Sequence, residues 1–227
     1  MKILACDTST KFLCLAVYDK GRVCGYRIEA HRRLSSLMAV SLERVVKAAG
    51  CTFTDFDYFA CGIGPGSFTG MRIGLAAFKA LAWSMRKPLV GVSSLDVIAQ
   101  GAPVGEGRII PVVDAKRGLV YCSVFLRRQG EIKRLRRYML IRPDEVAALA
   151  KKTSVILGDG VAAYGSLFAR TLPAVGLMEK DYWYPAPQHL ITRARVQIAE
   201  GKASTAYRVE PLYLYPKECQ IRTHHRK

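Results

Sequence analysis

Residues 62–74 read GIGPGSFTGMRIG, and their types suit the cradling of an anion at the start of a helix. Ser67 and Thr69 can cap that helix, and its first amides, aligned with the helix dipole, attract negative charge. The established phosphate loops demand stricter spacing. A Walker loop needs GxxxxGK[ST], and the run has no glycine-lysine step. The dinucleotide fingerprint GxGxxG breaks at Gly62-Ile63-Gly64-Pro65-Gly66-Ser67. Two aspartate-led loops offer a second constellation. Asp7-Thr8-Ser9-Thr10-Lys11 supplies hydroxyls and amides suited to phosphate oxygens. Asp114-Ala115-Lys116-Arg117-Gly118 puts charge and bulk where such loops usually carry glycine and small polar residues.

Other chemistries are poorly served. Of four histidines, His31 has Ser35 four positions on, His189 stands alone, and His224-His225 are adjacent in the tail. None forms the i, i+4 pair that lets two imidazoles on one helix share a metal, so no metal site is expected. No GxSxG elbow occurs. Seven irregularly spaced cysteines without a CxxC pair imply reduced thiols and a cytoplasmic setting. Cys6, Cys14, Cys61 and Cys122 fall within expected strands, where a thiol packs as a small hydrophobe.

The net charge of +17 is the strongest compositional feature, and residues 106–227 carry 22 basic against 11 acidic residues. Arg127, Arg128, Lys133, Arg134, Arg136 and Arg137 crowd two neighbouring strands, and Arg222, Arg226 and Lys227 follow in the tail. Such a field attracts polyanions, RNA above all, while a solvated basic face accounts for it equally well. Arg134, Arg136 and Arg137 are the candidate tRNA contacts. No apolar run reaches the roughly 18 residues of a membrane span.

The elements that must position these residues occur twice. Strands at Ile3–Asp7, Leu13–Asp19 and Val23–Glu29 precede an amphipathic helix at Leu34–Ala49, a strand at Tyr58–Gly62, and a helix from the glycine run to about Met85. Asp19-Lys20-Gly21 reads as a hairpin turn. Leu89–Val92 is a strand, with Ser93 or Ser94 capping a short helix. Strands at Ile109–Asp114, Val120–Arg127 and Ile132–Leu140, a helix at Pro143–Ala150, a strand at Val155–Leu157 and a helix through Arg170 repeat the order. This duplication implies an α/β fold of two ribonuclease-H-like lobes, as in the actin/Hsp70/sugar-kinase superfamily. The lobes are expected at 1–105 and 106–227. In that fold a nucleotide lies between lobes, gripped by the two aspartate-led loops.

Packing offers a different use for the glycine run. Gly70, Gly74, Ala77 and Leu81 line one side of its helix, with Met71, Leu75, Phe78 and Ala82 beside them, a pattern that admits close helix approach. GPGSFTGMRIG resembles the signature of the TsaB (YeaZ) family, and ILACDTST, VGVSSLDVIAQ and VVDAKRGLVYCSVF resemble TsaB segments in the same order. The resemblance covers nearly the whole chain. It implies a non-catalytic subunit of the tRNA threonylcarbamoyladenosine machinery that binds and activates its paralogue TsaD through the first two helices. TsaE then joins, tRNA is met through the complex, and ATP and metal belong to the partner subunits. A homodimer through the same helices is implied for the lone chain. Leu37, Met38, Ser41, Leu42 and Val45 of the first helix, with Met71, Gly74, Leu75 and Phe78 of the second, are the expected partner-facing residues. Asp7, Thr8, Ser9 and Asp114 would be a vestigial phosphate site, and Gly64, Pro65, Gly66, Ser67, Thr69, Gly70 and Arg72 the signature turn. An active ATP- or metal-dependent transferase or peptidase of the same superfamily is the alternative, and a free-standing RNA-binding protein a third reading. Two features depart from the family pattern. Tyr215 stands where a terminal Pro-x-Tyr-x-Arg element has arginine, and His31 lies about one turn before the family's helix-start histidine, a place taken by Leu34.

Overall fold

The computed structural model describes residues 1–215; the basic tail, with Arg222, His224, His225, Arg226 and Lys227, lies outside the described residues. Strands β1 (Ile3–Asp7), β2 (Phe12–Asp19) and β3 (Arg22–Glu29) form an antiparallel meander. Lys20 and Gly21, both at positive φ, make the β2–β3 turn, whose twist matches that of the flanking strands. After helix α1 (Leu34–Ala48), strand β4 (Tyr58–Gly64) adds parallel to β1. After α2 (Phe68–Ser84), strand β5 (Leu89–Ser93) adds parallel to β4. The order β3-β2-β1-β4-β5 is that of a ribonuclease-H-like sheet.

Strand β1 is buried on both faces, and its period of two assigns each residue to one core. Leu4 and Cys6 join the cluster under α1 and α2, which contains Met38, Leu42, Val45, Leu75 and Phe78. Ile3 and Ala5 pack on the opposite side against Leu190, Ile191 and Ala194 of helix α5 (Pro187–Ala199). Cys6, Cys14, Cys61 and Cys122 are buried while Cys24 of β3 is half-buried, and burial pushes the Cys122 thiol up to about 12. Buried thiols of this kind pack as small hydrophobes.

Helix α3 (Ser94–Gln100) leads into the second sheet: Leu95, Ile98 and Ala99 pack with Ile109, Val113 and Phe125. That sheet is built on the long β6 (Gly107–Lys116). Strand β7 (Leu119–Cys122) pairs with its later half and β8 (Phe125–Arg128) with its first three residues. Strands β9 (Glu131–Arg134) and β10 (Met139–Ile141) continue the two halves. The two long strands expected at Val120–Arg127 and Ile132–Leu140 are thus each broken. The Val124 carbonyl accepts the amides of both Leu135 and Arg136, at 2.7 and 3.3 Å. Two residues opposite one make a bulge, and the ladder bends there. The helix expected at Pro143–Ala150 is a 3-10 helix, Pro143–Leu149. Strand β11 (Ser154–Leu157), α4 (Gly160–Thr171) and the short β12 (Gly176–Leu177) complete the lobe.

The division at residue 105/106 needs correction. Helix α5 belongs by sequence to the second half but covers the free face of the first sheet, and Ala206 and Val209 join the α1–α2 core. The face opposite α1 and α2 is apolar and needs a cover; α5 supplies it. Leu190 is fully buried there, so Leu190→Ala should cost about 2–5 kcal/mol in urea denaturation, with the near-ultraviolet signature of the first sheet lost in the same transition as that of the second. A loss below about 1 kcal/mol would mean that α5 is a loosely attached appendage.

Candidate functional site

The two aspartate-led loops face each other across a cleft of ≈ 880 Å³. The β1–β2 loop contributes Ser9, Thr10 and Lys11, the start of α2 contributes Ser67 and Thr69, and the second lobe contributes Asp114, Lys116, Arg117 and Asp159. The fold thus brings together the residues that a nucleotide would need. Local geometry decides what remains available.

Asp7 is buried, and its carboxylate is fully engaged. Oδ1 accepts from the Ser9 amide at 2.8 Å and the Ser9 hydroxyl at 2.7 Å, and Oδ2 accepts from the Ser94 hydroxyl at 2.6 Å. Burial raises its pKa, and the hydrogen bonds from Ser94 and Ser9 oppose that rise. Ser94 therefore locks Asp7, and Ser93, the N-cap of α3, makes no capping hydrogen bond from its side chain. Sequence spacing could not show the Ser94–Asp7 contact, which spans 87 positions.

The signature turn closes over the same loop. Thr8 Oγ1 donates to the Gly70 carbonyl at 2.7 Å, and the Ser67 amide donates to the Ser9 carbonyl at 2.6 Å. A Cβ on Gly62 would strike the Asp7 carboxylate, on Gly66 the Ser9 carbonyl, on Gly70 the Thr8 carbonyl, and on Gly74 the Thr8 hydroxyl. Gly64, at positive φ and followed by a cis bond to Pro65, lies against Met71. Ser67 caps α2 by accepting from the Gly70 amide at 3.2 Å. Thr69 is exposed at the cleft, and Arg72 stacks over Phe68, 4.4 Å from its centroid.

The second loop is held differently. Asp114 accepts from the Lys116 amide at 2.8 Å and from Lys116 Nζ at 2.6 Å, while its own amide donates to Asp159 Oδ1 at 3.0 Å. Burial raises the pKa of Asp159. Lys116 and Arg117 both adopt positive φ, a conformation that costs non-glycine residues about 1 kcal/mol or more. The segment 212–215 crosses between lobes. The Leu212 amide donates to the Ile63 carbonyl, Tyr213 packs on Phe68 at 5.3 Å, and the Tyr215 hydroxyl donates to the Ala115 carbonyl at 3.0 Å. His31, in a 3-10 turn before α1, pairs with Glu29 at 2.8 Å and lines the cleft.

The expected partner-facing residues are corrected by burial. Met38, Leu42, Val45, Leu75 and Phe78 fill the chain's own core, and Ser41 and Met71 are buried. Gly74 faces Thr8 rather than a second protein. Leu37 alone of the set is half-exposed. The outward faces carry Val40 on α1 and Ala76 and Ala80 on α2, with Ile73 and Ala77 half-buried at the margin. The basic cluster also divides. The Arg127 guanidinium donates to the carbonyls of Gln100, Ala102 and Val104, tying β8 to the segment between the lobes. Arg134 stacks on Tyr138 at 4.1 Å, and Arg136 and Arg137 lie exposed between β9 and β10.

This glycine turn, docked on an aspartate loop in a two-lobed chain, has clear relatives. The model of the family "TsaD: tRNA N6-adenosine threonylcarbamoyltransferase" matches residues 28–199. The tRNA threonylcarbamoyladenosine biosynthesis protein TsaB of Escherichia coli is 30% identical, with 94% of each chain covered. The chain belongs to the TsaB family. The TsaB protein of Bacillus subtilis is 32% identical over 66% of this chain and 63% of its own. The solved structure of YeaZ from Pseudomonas aeruginosa superposes with a TM-score of 0.84 at 27% identity, covering 94% of this chain and 99% of that one. The fold is that of YeaZ, and the family gives the chain a role in threonylcarbamoyladenosine synthesis.

The glycine contacts predict a stability effect with no partner present. Gly70→Ala sets a methyl against the Thr8 carbonyl and should cost the isolated chain about 1–3 kcal/mol in urea denaturation, whereas Ala76→Ser, on the exposed face, should change stability by less than about 0.5 kcal/mol. Equal stability of the two variants would show that the turn does not depend on this close approach.

Proposed function

We propose that this TsaB-family chain is a non-catalytic subunit required to form threonylcarbamoyladenosine next to the anticodon of tRNAs reading codons that begin with A. It binds and activates a TsaD partner, and TsaE joins the assembly. The observation that carries this reading is the occupation of the first phosphate loop by the chain itself: three hydrogen bonds saturate Asp7, and the α2 glycines close over Thr8. A loop so filled offers little to a phosphate but fixes α2 rigidly. ATP and metal accordingly act on the partner subunits, and the complex works in the cytoplasm.

The partner surface lies on the outward faces of α1 and α2, with Leu37, Val40, Ile73, Ala76, Ala77 and Ala80. Alanines at four-residue spacing form a low ridge against which another helix can approach closely. The same face supports self-pairing when the chain is alone. Ala76→Arg combined with Ala80→Arg should lower affinity for TsaD at least tenfold by calorimetry and abolish product in a reconstituted reaction, with the thermal midpoint unchanged. Undiminished binding would place the interface elsewhere, and product formed by the lone chain would make it an enzyme.

Exposed Arg136 and Arg137, with the ring-stacked Arg134, support a tRNA contact made within the assembled complex. Reversing all three to glutamate should reduce the slope of log K against log salt by roughly 2–3 for tRNA binding to the complex. An unaltered slope assigns them to a solvated face.

A further inference from the structure

A second groove, ≈ 980 Å³ in volume, lies far along the chain from the signature turn, where α2 ends. The bridge between Leu89 and Ser204, with reciprocal amide–carbonyl hydrogen bonds of 2.8 and 2.9 Å, lays residues 203–207 along the edge of β5. Tyr207 thereby lines the same groove as Trp83 and the turn holding Arg86 and Lys87. Trp83 is 64% exposed and Tyr207 75% exposed. Large aromatic rings are rarely left so open, and among the described residues neither contacts another ring.

The groove's charge is one-sided. Arg86 and Lys87 line it, no carboxylate does, and neither cation forms an ion pair among the described residues. Ser84, Ser204 and Thr205 add hydroxyls along the walls. Open aromatic faces beside unpaired cations are the parts of a surface for single-stranded nucleic acid: the rings stack on unpaired bases, and the cations follow the phosphates. A double helix hides its base faces and cannot use the rings. Ala82, Pro88, Ala203 and Ala206 add apolar wall that a protein partner could also bury, but unpaired cations beside the two rings, on a chain of net charge +17, favour a polyanion.

We propose that the groove between Trp83 and Tyr207 binds an unpaired RNA segment, stacking bases on the two rings with its phosphates on Arg86 and Lys87. The site lies at the C-terminal end of α2, where Trp83 follows Ala76 and Ala80 along the same outward stripe, and it acts in the chain without a partner.

The chain has two tryptophans, so Trp183→Phe leaves Trp83 as the only indole emitter. A short single-stranded oligoadenylate should quench its emission saturably, and an RNA duplex of equal length should bind at least tenfold more weakly. Tyr207→Ala should weaken binding of the single strand about tenfold. Arg86→Gln with Lys87→Gln should reduce the salt slope by about 1.4, the loss of two phosphate contacts. Because Trp183 donates to the Met178 carbonyl, calorimetry with the unmodified chain and with Tyr207→Ala repeats the comparison without that change. No quenching, equal binding of duplex, or indifference to Tyr207→Ala overturns the proposal. If Tyr207→Ala spares RNA binding and weakens the TsaD complex, the groove is a protein interface and the proposal fails.

Discussion

The architecture of the first lobe turns on the absence of side chains along one edge of α2. Gly66, Gly70 and Gly74 bring the start of that helix against the backbone of Ser9 and Thr8 and the Thr8 hydroxyl. A helix normally stands off a neighbouring loop by the thickness of its side chains. Here that layer is missing, and direct hydrogen bonds replace it, from Thr8 to Gly70 and from Ser67 to Ser9. The ends of β1 and β4 are thereby fused through one small polar knot, with Asp7 at its centre and Ser94 reaching it from α3. Buried polar groups are tolerated because each finds a partner. The direction of α2 follows, and with it the surface that its opposite face presents.

The second lobe is tied to this knot by three connections of different chemistry. Helix α3 shares its apolar residues with the second sheet. The Arg127 fork holds three carbonyls of the intervening segment. The stretch 212–215 hydrogen-bonds to β4 and, through Tyr215, to the carbonyl of Ala115. Tyrosine at this place reaches both a carbonyl and the edge of Tyr121, 6.1 Å away between centroids. An arginine could donate to the same carbonyl but would bring a further cation beside Lys116 and Arg117. Part of the basic excess is therefore structural, and the net charge alone overstates what is free for a polyanion.

Period and turn chemistry made most of the fold legible in the sequence. Ile3–Asp7 is legible as a brief apolar run that meets Asp7, and Asp19-Lys20-Gly21 as residues that tolerate positive φ. The bulge at Val124 was illegible because one carbonyl serving two amides leaves no mark in composition. Helix α5 was missed because its apolar residues, Leu190, Ile191, Ala194, Val196 and Ile198, are interrupted by Thr192, Arg193, Arg195 and Gln197; its cover role depends on a sheet nearly two hundred residues earlier. At the candidate site, the loops and the glycine turn were found from their residue types. The facing of that turn was misread. Amphipathic spacing identifies the most apolar side of a helix, and on α1 and α2 that side is the core of the chain itself. Apart from Trp83 near the end of α2, the outward side is marked by Val40 and small alanines, a weak signal beside Leu42, Val45 and Phe78.

In both aspartate-led loops the leading carboxylate accepts hydrogen bonds from the chain itself. A phosphate cradle needs amides that point into the cleft with nothing else attached to them. In the first loop the Ser9 amide is spent on Asp7, and Asp7 on Ser9 and Ser94. In the second, the Lys116 amide is spent on Asp114, and two left-handed residues with long side chains occupy the bend. In each loop one amide and the leading carboxylate are thus engaged within the chain itself. A surface that such contacts hold in place loses less entropy on any association it enters.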